Sequence, residues 1–201
     1  MVAERRATVG FTVKSGWASA VLVCGTPASP QVADSRRVEL NDPSVPDSRQ
    51  PYHEGFGTAR REGPELSRLL ASVEDFGQRS VTALLQHFQA GGYALVGAGV
   101  VVGSLTPPDA IHNDHIRIHA LEGQLFRRVI EEGLRGGRVS SSIWRERDLY
   151  GLASKMLKQP EPALRVELTA LGKTVEGPWR VEQKAATLAA WLRLAVTVGR
   201  A

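Results

Sequence analysis

Apolar residues fall in short strand-like runs before residue 41 and alternate between helical spacing and short strand-like runs after residue 64. Residues 7–13 (Ala-Thr-Val-Gly-Phe-Thr-Val) predict a strand, and Trp17 to Cys24 predict a second. Two apolar runs joined by a short glycine-bearing turn, here Lys14-Ser15-Gly16, make a hairpin. Residues 31–40 mix polar and apolar positions and predict an edge strand with one solvated face. Charges at Arg36 and Arg37 would discourage pairing with another edge. Pro43, Pro46 and Pro51, with Gly55, Gly57 and Gly63, then exclude any long regular element over 41–63. Unstructured loops of this length in compact domains are often functional or disordered.

From Pro64 to Ala90, Leu66, Leu69, Val73, Phe76, Leu84 and Phe88 recur at helical spacing. Gly77 is a weak point in that helix, costing about 1 kcal/mol relative to Ala. Gly91-Gly92 ends it, and the unbroken apolar run Tyr93 to Gly103 predicts a strand buried on both faces. A second helix is expected from about Asp109 to Leu134, a short strand over 139–144, and helices over about 148–158, 164–175 and 181–196. The order is β-β-β-α-β-α-β-α, with an additional C-terminal helical segment at about 164–196. It predicts an α/β fold with a mixed five-stranded sheet: an antiparallel opening, parallel crossovers, and helices on both faces. A chain of 201 residues fits one domain spanning 1–201.

Composition adds little to this. Hydrophobic residues are 42% and charged residues 23%, ordinary globular usage, and the chain is long enough to bury a core without disulfides. Its one cysteine, Cys24, excludes an intrachain bridge and sits in an apolar run as a packed thiol. Residues 1–10 lack the apolar stretch of a signal peptide, and the Tyr93–Gly103 run is too short to cross a bilayer. A cytoplasmic protein without a membrane partner is the expectation. The net charge of +4 suits an acidic partner. Part of the excess lies between Arg127 and Lys158, where eight basic residues face four acidic ones, a pattern a solvated helix surface also gives.

The densest candidate chemistry is His112, His115, His119 and Glu122, spaced by three, four and three residues. At about 100° per residue, one helix would carry all four within an arc of roughly 80°, at the rim of the apolar stripe Ile118, Leu121, Leu125 and Val129. His115, His119 and Glu122 offer nitrogen and oxygen ligands for one divalent metal. They also suit general acid/base work, with Glu122 orienting an imidazole. A polar helix face bonded to nearby loops is the plainer account. Ile116 stands where the zinc-protease helix carries a glutamate. His53, between Tyr52 and Glu54 in the 41–63 loop, is a further catalytic candidate, because such loops can close over a site. Trp179, Glu182 and Lys184, at the start of the last helix, are candidates for contact with an anion or nucleic acid. A packing tryptophan and a solvated lysine are the simpler alternatives. Gly97-x-Gly99-x-x-x-Gly103 falls inside a strand, out of place for a dinucleotide loop, and suits small residues packing under a helix. Neither a phosphate loop nor a Gly-x-Ser-x-Gly elbow is present.

The element order, together with Thr8-Val9-Gly10-Phe11-Thr12-Val13 and the following Gly16-Trp17-Ala18, resembles the resolvase branch of the ribonuclease-H-like superfamily. The resemblance covers most of the chain at the level of topology and implies nucleic acid as partner. Those nucleases carry an aspartate on the first strand beside a glycine, where this chain has Phe11 and Thr12. They carry a second acid at the end of the fourth strand, where Val100 to Ser104 offer none and Asp109 comes later. A third, on the last helix, is matched by Glu182. Two-metal phosphodiester chemistry needs several carboxylates. The resemblance therefore implies a divergent member that binds or helps process nucleic acid, with its nuclease chemistry degenerate or rebuilt. A small-molecule enzyme using His115, His119 and Glu122 with a divalent metal, and a non-catalytic interaction module, are the alternatives.

Overall fold

In a computed structural model, residues 4–55 and 58–198 are described. The strands are β1 (Arg5–Lys14), β2 (Trp17–Thr26), β3 (Ser29–Glu39), β4 (Tyr93–Val102) and β5 (Ser141–Arg145). The helices are α1 (Pro64–Ala90), α2 (Asp114–Gly136), α3 (Glu146–Leu157), α4 (Glu161–Leu171) and α5 (Val181–Val198). The sheet order is β3-β2-β1-β4-β5. β1–β2 and β2–β3 pair antiparallel, while β1–β4 and β4–β5 pair parallel. This is the expected mixed five-stranded α/β sheet.

Alternation along β1 separates two layers. Ala7, Val9, Phe11 and Val13 face a core shared with α1 and α2, including Val73, Val81, Phe126 and Val129. Thr8, Gly10 and Thr12 face α5 on the other side. The Thr8 hydroxyl donates to the Ala190 carbonyl at 2.7 Å and the Thr12 hydroxyl to the Glu182 carbonyl at 2.9 Å. Between them, Gly10 pairs with Gly99 of β4. A Cβ on Gly10 would lie 1.8 Å from the Ala186 carbonyl oxygen, and one on Gly99 would lie 2.6 Å from that of Ala189. The strand glycines thus let a small-residue face of α5 lie almost on the sheet backbone. Gly97 leaves room for Arg193, whose guanidinium donates to the Ser142 and Ser140 hydroxyls at 3.0 Å.

Gly77 has a comparable role in α1. A Cβ there would lie 2.4 Å from Val129 of α2, so the weak point in helix propensity is a point of close contact between the two helices. β3 is an edge strand, as its pattern predicts; Arg36 and Arg37 pair with Asp34 and Glu39 along it, and Arg37 also covers the Trp17 ring at 4.1 Å. Cys24 is buried and unbridged. Among the described residues no helix is long and apolar enough to cross a membrane.

One boundary differs in a way that matters. α2 does not start near Asp109. Residues 108–110 form a single 3-10 turn beginning at Pro108, and the helix begins at Asp114, capped by Asn113, whose side chain accepts from the Ile116 amide at 3.0 Å. His112 therefore precedes the helix and does not share its face.

Candidate functional site

Three segments distant in sequence meet beside α2. The first is the 41–63 loop, in which residues 56 and 57 lie outside the described residues. A 3-10 turn at Pro46–Arg49 and an isolated bridge between His53 and Ala59 shape it. Arg60 ties it together. Its nearly buried guanidinium donates to the Pro51 carbonyl (3.1 Å), the His53 carbonyl (3.1 Å), Asp47 (3.1 Å) and Glu65 (2.7 Å). The second segment is the β1–β2 turn, which supplies Ser15. The third is α2, which supplies His115, His119 and Glu122.

Glu122 has no exposed side-chain surface, and His53 retains only 13%. Glu122 Oε1 lies 2.7 Å from His53 Nδ1, and Oε2 accepts from the Ser15 hydroxyl at 3.2 Å. A buried carboxylate needs such partners, since an unpaired one costs several kcal/mol. Burial still pushes the Glu122 carboxyl above its ordinary range, with the His53 and Ser15 hydrogen bonds pulling the other way. One turn away, His119 and His115 bring their Nε2 atoms to 3.2 Å. The His53 ring centroid is 5.0 Å from that of His119 and 6.4 Å from that of His115. One ring nitrogen from each of the three histidines lies within 4.8 Å of the others. Partial burial, then the neighbouring His115 and His53, lower the His119 pKa.

Two clefts open here. The first, of about 450 Å³, lies at the carboxyl ends of β1 and β4 under the 103–111 segment. Val13, Val102, Leu105, Pro107 and Ile116 give it apolar walls, and Lys14 and Arg127 supply its cations. The second, of about 660 Å³, is bounded by Pro46, Asp47, Arg49, Gln50, His53, His115 and His119. His119 lines both.

The structure thus brings His53 together with His115 and His119, and it turns Glu122 inward to His53. It does not bring Trp179, Glu182 or Lys184 to this place; all three belong to the α5 side of the sheet. The Trp179 ring nitrogen donates to the Leu168 carbonyl at 2.7 Å, and Lys184 Nζ donates to Thr169 at 3.2 Å. Ser15 was not singled out from sequence, and nothing in its turn context marks it.

The sequence matches no family model and no curated protein. The fold does match solved structures. RuvC of Thermus thermophilus in complex with a Holliday junction substrate matches with a TM-score of 0.58 at 8% identity, over 96% of both chains. Another Thermus thermophilus RuvC structure gives 0.57 at 10% identity, again over 96% of both. The yeast mitochondrial Holliday junction resolvase Ydc2 gives 0.53 at 8% identity, over 98% of this chain and 81% of that one. The fold is ribonuclease-H-like, and at these identities the likeness is one of fold. Towards the carboxyl ends of β1 and β4, where the resemblance implied catalytic acids, this chain has Phe11 and Thr12, and Val100 to Ser104.

Proposed function

We propose that this chain binds nucleic acid at the cleft formed by the ends of β1 and β4, without the carboxylate chemistry of a ribonuclease-H-like nuclease. Fold alone does not specify function. The observation that carries the reading is the lining of that cleft: apolar walls with Lys14 and Arg127, which pair outside the lining with Glu146 (3.6 Å) and Glu131 (3.4 Å), and no carboxylate among the described lining residues. Apolar walls suit an unstacked base, and cations nearby suit its phosphates. The analogy with a resolvase fold seen on a DNA junction points to a branched or partly single-stranded ligand.

The test is binding of fluorescent four-way junction, single-stranded and duplex DNA at rising salt. Affinity should fall steeply between 50 and 200 mM salt, as counterion release requires. Lys14→Ala with Arg127→Ala should lower the logarithmic salt slope by about two. Magnesium should support no cleavage. Absent or salt-independent binding would sink the reading. A second reading, a metal-dependent or acid/base enzyme acting on a small molecule, is favoured by one observation: His119 lines both the histidine cleft and the apolar one. Turnover that survives His119→Ala would remove it.

A further inference from the structure

We propose that His53, His115 and His119 bind one divalent transition-metal ion, zinc in the first instance, and that Glu122 is the positioning residue for His53. Neither the fold likeness nor the nucleic-acid reading calls for this site. It lies on the α1/α2 side of the sheet, supplied by a loop and a helix.

The argument starts with distances. Two nitrogens each about 2.0–2.1 Å from one tetrahedral ion lie roughly 3.3 Å apart. The Nε2 atoms of His115 and His119 are 3.2 Å apart. They sit four residues apart on α2, the spacing at which a helix stacks two rings on one side. The third nitrogen arrives from the loop, and the whole set spans no more than 4.8 Å, within reach of small side-chain rotations.

The supporting contacts fit a metal ligand. His53 Nδ1 is occupied by Glu122, which leaves Nε2 as its ligating nitrogen. Metal-binding histidines typically give their other ring nitrogen to a carboxylate, which fixes the tautomer and orients the ring. Glu122 is itself fixed by Ser15 and by complete burial. Its placement favours the orienting role over the ligand role, the two that its sequence position suggested. The wall of Arg60 bonds behind His53 holds the loop ligand in place.

Donor chemistry selects the ion. Three imidazoles without a thiolate suit zinc and its late first-row neighbours. Magnesium and calcium prefer oxygen ligands. All three histidines border the cleft that Asp47, Arg49 and Gln50 also line, so water or a small anion from it would complete the shell.

The experiment uses the full chain, stripped with chelator and titrated with Zn²⁺ by calorimetry and with Co²⁺ by visible absorption. One ion per chain should bind, and Co²⁺ should show the intense visible bands of a four-coordinate site. The His115→Ala/His119→Ala variant should lose stoichiometric binding; both residues are exposed, so its circular dichroism should match the parent. His87→Ala, on α1 beside Asp34, should bind as the parent does. Glu122→Gln should bind about 10–100-fold more weakly and shift the Co²⁺ bands, while its secondary structure stays unchanged. No stoichiometric Zn²⁺ binding by the parent protein, or undiminished binding by the double histidine variant, would overturn the site. Parental affinity and an unshifted Co²⁺ spectrum in Glu122→Gln would overturn the positioning role.

Discussion

Gly10 shows how much a single position can decide here. It sits mid-strand, where glycine normally weakens a sheet. Its missing Cβ admits the Ala186 carbonyl at a distance that no side chain could share. The opposed glycine of β4, Gly99, repeats the arrangement one strand over. Gly10→Ala should therefore cost about 1–3 kcal/mol or more through forced displacement of α5, read as a lower denaturant midpoint. Gly103→Ala is the control. Nothing lies within 4 Å of its added methyl, and its stability should stay within about 0.5 kcal/mol of the parent. Equal losses at both positions would contradict the close-approach account.

Among the elements, the 41–63 loop carries the most consequence, and Arg60 is its staple. Two of the guanidinium's four bonds go to the carbonyls of Pro51 and His53. Arg60→Ala should cost about 1–3 kcal/mol by leaving those acceptors unsatisfied. It should also speed hydrogen exchange at the Tyr52–Glu54 amides and shift the His53 imidazole resonance. Arg60→Lys should not restore either, because an ammonium cannot reproduce the planar fork. Unchanged exchange in Arg60→Ala would show that the loop is held by other contacts. This loop also marks where sequence reading runs out. Periodicity reports local structure, so the strands, the helices and the crossover order were legible from apolar spacing alone. The start of α2 was not, because Pro107-Pro108 permits a helix entry that the Asn113 cap in fact delays. Glu122 left a partial trace. It lies seven residues before Val129, about 20° away on the helical wheel, which predicts burial beside the core stripe. Its partner His53 is 69 residues upstream, a separation that no local pattern spans.

Across the whole molecule, the two faces of the sheet hold different things. On the α5 face, Thr12, one of the two β1 positions where the resemblance implied a carboxylate, is enclosed. Thr12 is 1% exposed, and its hydroxyl is committed to the Glu182 backbone carbonyl. Together with the Thr8 bond and the Gly10 approach, this zips α5 against β1 along the strand. The convergent polar groups stand on the opposite face, where α2 and the loop meet. Placing an acid at Thr12 should therefore create no nuclease chemistry. Thr12→Asp would bury a carboxylate against a carbonyl oxygen, two acceptors with no donor between them. An uncompensated buried charge of this kind costs roughly 3–5 kcal/mol. Thr12→Val, which only loses the hydroxyl's bond, should cost about 1–3 kcal/mol, because the Glu182 carbonyl is left without that donor. The ranking parent, Thr12→Val, Thr12→Asp in descending urea midpoint is the expected result, with no magnesium-dependent cleavage of a four-way junction by any of the three. A Thr12→Asp protein as stable as its parent, and cutting DNA with magnesium, would mean that the α5 face is an open seat missing only its acid.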